Sequence, residues 1–125
     1  DQKNPKLFDL WVAGVNGKSA KKLASDVVVD ELGPAWSPDG QVVFYVKRDF
    51  KTNNPIHWVP RVGGQGRKLN TGTQLNSDLA VFKEPTGRIR LAFRSVGRAG
   101  AADKTWQRVY VTSFTMTDLR SGALQ

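Results

Sequence analysis

The chain has 125 residues, 39% of them hydrophobic, with 19 Lys and Arg against 11 Asp and Glu and no Cys. That is ordinarily one domain. The lack of cysteine excludes disulfides and thiolate metal sites, and the longest fully apolar run, Val42–Val46, falls far short of the ~20 residues a membrane-spanning helix needs.

In chain order, residues 1–6 read as a polar lead-in. Leu7–Val15 reads as a strand, Asn16-Gly17 as a turn and Ser19–Leu23 as a short outer strand, with Val27–Val29 extending the pairing or packing under the next loop. Leu32–Ser37 reads as an inner strand, turned by Pro38-Asp39-Gly40 into the strand Gln41–Lys47. This turn has a mechanism. Pro38 presets φ, Asp39 can bond its own backbone and Gly40 accepts positive φ without steric cost. Arg48–Asn54 is a polar loop. Ile56–Val62 is the next strand, Gly63–Gly66 its turn and Arg67–Leu69 its outer partner. Leu79–Phe82 and Arg88–Phe93 form a further hairpin, Val96–Lys104 a Gly/Ala-rich loop and Trp106–Phe114 a final strand. Residues 115–125 read as a tail or an edge strand. No stretch keeps helical apolar spacing over three turns, so the chain is expected to be all-β.

The segments repeat. Gly40 and Gly87, Trp11 and Trp58, and Gly17 and Gly64 are each separated by 47 residues, and Leu23 and Leu69 by 46. Tyr110 follows Trp58 by 52, the excess lying in the loop from Gly97 to Lys104. A period in the forties with several strands per unit is the signature of a propeller blade. Strand 42–46, apolar at every position, suits a sheet packed on both faces. Strand 88–93 alternates Ile89, Leu91 and Phe93 with Arg88 and Arg90, which predicts one wet face.

The sequences LWVAGVNGKSAKKL and PAWSPDGQVVFYV resemble the repeat of TolB-like β-propellers. That repeat runs from an aromatic-aliphatic strand and a Gly turn through a basic residue and Leu to PxWSPDG and a second apolar strand. The resemblance covers about residues 7–114. The second copy of the inner turn, Leu79–Gly87, keeps Pro85 and Gly87 but lacks the Trp, Ser and Asp of the first. The fold expected is a partial propeller of four-stranded antiparallel blades with an incomplete ring: a blade part at 7–23, a blade at 32–69 and a blade part at 79–114. About two and a half blades fit, where closure needs about four. The chain would then be a fragment, a subunit completing its ring with copies of itself, or a piece of a larger assembly. The resemblance also implies an exported bacterial protein, periplasmic or otherwise extracytoplasmic.

Within such a blade the tight turns share one end and the long connections, about 24–31, 48–54, 70–78 and 96–105, share the other. Loops on a rigid scaffold are where binding sits, so Arg48, Asp49, Lys51, Arg98, Lys104 and Trp106 are the expected partner-binding residues. Asp26, Asp30, Glu31 and Asp78 make that face mixed in sign, which suits a protein partner better than a phosphate backbone. The net charge of +8 raises nucleic acid or an anionic surface as a partner. No run of five like charges occurs, however, and scattered charge reads as a solvated surface. Trp36, Trp11, Trp58 and Tyr110 are expected in the blade core. Trp106 breaks the repeat and borders the long loop, where it is read as an interface anchor. Pro38, Asp39 and Gly40 are structural turn residues, Asp39 capping the turn rather than holding calcium. The single histidine, His57, falls mid-strand with no ligands near it in sequence, so no metal, cofactor or catalytic residue is assigned. The function expected is a non-catalytic protein-binding or scaffold module. The alternatives are the gating propeller of a hydrolase whose catalytic domain lies outside this chain and a basic binder of nucleic acid or anionic surfaces.

Overall fold

The computed structural model describes residues 6–49, 53–98 and 108–122. The fold is all-β with antiparallel pairing and one short helix, and no sheet closes on itself. Strands β1 (Leu7–Val12) and β2 (Lys21–Val28) form a hairpin. Strands β3 (Ala35–Trp36), β4 (Val42–Lys47), β5 (Ile56–Pro60) and β6 (Arg67–Leu69) form an antiparallel meander in that order. The hairpin joins the meander through two residues, Val27 and Val28 of β2 against Lys47 and Val46 of β4. Strands β8 (Ser77–Lys83), β9 (Ile89–Ser95) and β11 (Arg108–Phe114) form a second sheet with β9 in the middle. The two-residue strands β7 (Thr73–Gln74) and β10 (Gly97–Arg98) pair with each other. The hairpin and the meander thus make one six-stranded sheet, beside the three-stranded second sheet and the two-stranded β7–β10 pair.

The repeated turns have repeated chemistry. Gly17, Gly40, Gly63 and Gly87 each donate their backbone N–H to the carbonyl three residues earlier, at 2.8–2.9 Å. All four have positive φ, a conformation open to glycine without a Cβ clash. In the Pro38–Gly40 turn, Asp39 Oδ1 accepts from Ser37 Oγ at 2.6 Å and from the Gln41 N–H at 3.0 Å. Ser37 Oγ in turn accepts from the Val42 N–H at 3.1 Å. The Ser37 bond, followed by that from Gln41, holds the Asp39 carboxyl below its ordinary range.

Three layers stack face to face. One face of β4–β5, with Val42, Phe44, Val46, Ile56 and Trp58, packs against Leu79, Ile89, Leu91, Phe93 and Phe114 of the second sheet. Phe44 meets Phe114 edge-on, with ring centroids 5.9 Å apart. The other face of β4–β5, with Val43, Tyr45 and Val59, packs against Leu10, Val12, Leu23, Ala24 and Val27 of the hairpin. Continuous apolar sequence in β4 therefore reflects burial on both sides. Gly66 is obligatory for a related reason. A Cβ there would collide with the buried Tyr45 hydroxyl.

The repeat step shows which faces meet. Val42, Phe44 and Val46 correspond to Ile89, Leu91 and Phe93, and these two sets pack on each other. Val12 corresponds to Val59, and these two share the other cluster. Each layer meets its neighbour through the equivalent face, as in a sandwich of sheets.

Two sequence expectations are corrected here. Trp11 and Trp36 are not core residues; they are 56% and 50% exposed. Strand alternation puts Trp11 on the side of β1 opposite Leu10 and Val12, and no described layer lies beyond it. Trp36 sits on a two-residue edge strand beside the rim of the hairpin, where it lines a small cleft with Trp11, Pro34 and Val43. Trp58 and Tyr110 do pack in or against the core between the sheets. The stretch 115–125, read as tail or edge strand, carries the helix α1 (Met116–Ser121). Thr115 and Asp118 form a reciprocal capping box, Gly122 ends the helix in left-handed conformation, and Leu119 is buried in the same core.

Candidate functional site

The long connections converge at one end of the stack. Arg48 donates its backbone N–H to the Asp26 carbonyl at 2.8 Å, tying the loop after β4 to β2. Leu75 donates to the Asn53 carbonyl at 2.6 Å, and Asn53 Nδ2 donates to Gln74 Oε1 at 2.7 Å. The buried Asn76 donates to the Asn54 carbonyl at 2.9 Å and accepts from Thr73 Oγ1 at 2.6 Å. Leu32 donates its N–H to Asp78 Oδ1 at 2.6 Å, which links the β2–β3 loop to β8. The buried Ser95 hydroxyl donates to the Gln74 carbonyl at 2.6 Å. Buried polar groups are retained only where such partners exist, so this network fixes the loops as one surface.

The charges at this end are mixed in sign. Arg94 bridges Asp30 at 2.7 Å and Asp78 at 2.8 Å. Asp78 is the more buried of the two carboxylates, so its bond is the better shielded from water. Beside this triad a cleft of about 190 Å³ is lined by Val28, Asp30, Asn54, Leu75, Asn76, Ser77 and Val96.

The backbone is unusual in the same place. Six described non-glycine residues have positive φ, and five of them gather at this end: Asn53, Asn54 and Leu75 in the loops, Asp26 within β2 and Asp78 at the irregular start of β8. Asn and Asp tolerate the left-handed region, but Leu75, at φ 52° with an exposed side chain, has no local reason to adopt it. Strained backbone persists where the surroundings impose it, and such positions cluster at functional sites.

The expected site residues fare differently. Arg48 and Asp49 are half-buried in the loop network. Arg98 lies at the end of β10 opposite Thr73, also at this end. Lys51, Lys104 and Trp106 lie outside the described residues. Pro38, Asp39 and Gly40 form the expected turn, and Pro38 and Asp39 line a cleft with Lys83, Gly87 and Ile89 of the second sheet's hairpin and Met116 of α1. His57 packs against Tyr45, centroids 5.6 Å apart, and burial lowers its pKa from the ordinary 6.5. Sequence reasoning did not single out Arg94, Leu75 or the asparagines. The asparagines had a signal in the polar turn residues Asn53-Asn54 and Asn76-Ser77-Asp78, the type that bonds neighbouring backbone, and Arg94 and Leu75 had none.

Among the described residues no group of three or more His, Cys, Asp or Glu is placed to hold a metal ion, and no helix is long and apolar enough to cross a membrane. No family model matches this chain, and comparison with curated proteins and with solved structures returned no match.

Proposed function

We propose that this chain is a non-catalytic protein-binding module of TolB-like repeat type, a subunit or segment of a larger extracytoplasmic assembly, with the long-loop end as its contact surface. The observation that carries the reading is the concentration of left-handed backbone there: five of six such non-glycine residues, Leu75 among them. A polar network that holds several loops in one strained arrangement presents a preorganised surface, which lowers the ordering cost of binding. The mixed charges of Asp30, Asp78 and Arg94 suit a protein better than a nucleic-acid backbone.

The repeat step and the meeting of repeat-equivalent rows in the core support a repeat architecture. A ring of blades would stack successive units by opposite faces. The meeting of equivalent faces favours a layered stack of the same repeats, and the long loops gather at one end in either arrangement.

The test is charge reversal at the loops. Arg48→Glu with Lys51→Glu is expected to release the partner that the wild-type chain retains in affinity purification from its native extract, with a cooperative thermal transition still present. Undiminished retention by the folded double variant would remove the long-loop end as the contact surface, and a wild-type chain that retains no partner would remove the binding reading itself.

A further inference from the structure

Among the described residues, the second sheet has a face that no other layer covers. Its inner face is covered by β4–β5, but alternation turns Arg90, Ala92 and Arg94 of β9, and Arg88 just before it, to the other side. Pairing places Val109 beside Arg94, Val111 and Ala80 beside Ala92, and Phe82 and Ser113 beside Arg90. Val109 is 75% exposed, Val111 57%, and Phe82 is exposed as well. At the equivalent position in the meander, Val59 is fully buried under the hairpin.

We propose that this face binds the same face of a second copy of the chain, making a two-fold symmetric dimer. Two observations choose this occupant. First, each layer of the molecule covers its neighbour through the equivalent face: Phe44 and its row against Leu91 and its row, Val59 against Val12. A second copy's β8–β9–β11 sheet continues that rule, and an isologous contact needs a self-complementary patch. Second, the charge permits it. The chain carries +8 overall, which opposes self-association through most of its surface. On this face each arginine is already engaged within its own copy. Arg90 bonds Glu84 at 2.8 Å and lies over the Phe82 ring. Arg94 bonds Asp30 and Asp78. Arg88 bonds the Ser113 hydroxyl and carbonyl at 3.0 and 2.9 Å. Three arginines stand with three carboxylates, so the patch is neutral and its centre, Ala80, Ala92 and Val111, is apolar.

Three strands about 4.8 Å apart and seven residues long, at about 3.4 Å each, make a face of roughly 14 by 24 Å. That is roughly 340 Å² per copy and about 700 Å² in all, below the ~1,200 Å² at which stable specific interfaces begin, so the dimer is weak and transient and its population rises with concentration.

The experiment is light scattering of the 125-residue chain over a concentration series, with Val109→Glu/Val111→Glu alongside. The expected mass rises from 13.8 kDa towards twice that value and no further, and the double variant stays monomeric. Because the chain has no cysteine, single replacements give a second reading that preserves the fold. Val111→Cys is expected to form a disulfide dimer on mild oxidation. Val15→Cys, in the exposed β1–β2 turn, is not. A monomer at every concentration, growth beyond two copies, or equal cross-linking at positions 15 and 111 would overturn the proposal. None of these results bears on the loops at Arg48, so failure here is distinct from failure of the binding reading.

Discussion

The meander and the second sheet are built from the same repeat and end in different surroundings. Strand β4 carries Val43 and Tyr45 where β9 carries Arg90 and Ala92, and β5 carries Val59 where β11 carries Val111. In the meander these positions are buried under the hairpin, and in the second sheet they face outward. The inner rows do not differ in this way: Val42, Phe44 and Val46 and their equivalents Ile89, Leu91 and Phe93 are all buried. One face of the repeat is therefore spent on folding in both copies, and the other is spent on folding only where a third layer exists. Arginine and alanine are tolerated in β9 because no described layer covers that face.

The largest effect should come from the shared inner face. Phe44→Ala removes a ring packed edge-on against Phe114, and large-to-small changes of this kind cost about 3–5 kcal/mol. A urea midpoint near that of wild type would mean that the two sheets do not stack as described.

The next test addresses the contrast directly. Val59→Ala and Val111→Ala change the same repeat position. The first should cost about 1–3 kcal/mol through lost burial, and the second should stay within about 0.5 kcal/mol, as exposed positions do. Equal costs at dilutions where the chain is monomeric would erase the distinction between the covered and the bare face.

The smallest effect concerns His57, which packs with Tyr45 on the covered side. Burial depresses its folded pKa below the 6.5 of the free side chain. The stability this neutral imidazole contributes is complete above the unfolded value and is lost as pH falls below it towards the folded one. Urea midpoints should therefore fall between about pH 7.5 and about pH 5.5, and fall less in His57→Gln. An identical pH profile in the variant would place His57 outside the titrating core.

Much of this was legible in the residues. The Pro38-Asp39-Gly40 turn, the recurring glycines, the all-apolar β4 and the alternating β9 carry their own reasons, because φ > 0 and strand alternation are local properties. The helix after Phe114 had a local signal too, the Thr115-x-x-Asp118 pair and Gly122. It is too short to show the apolar periodicity of a longer helix. The left-handed Leu75 and the Arg94 triad had no such signal, since their partners lie in loops from distant parts of the chain.

Sequence by itself thus determined the β class, the turns, the repeat step and which rows of each strand are apolar, all set by interactions within a few residues. Tertiary structure alone decided which apolar rows meet. Trp11 and Trp58 occupy one repeat position, yet Trp58 is buried between two sheets while Trp11 faces outward. Burial is a property of the layer that arrives from elsewhere in the chain, and no residue encodes the presence of its neighbour's neighbour.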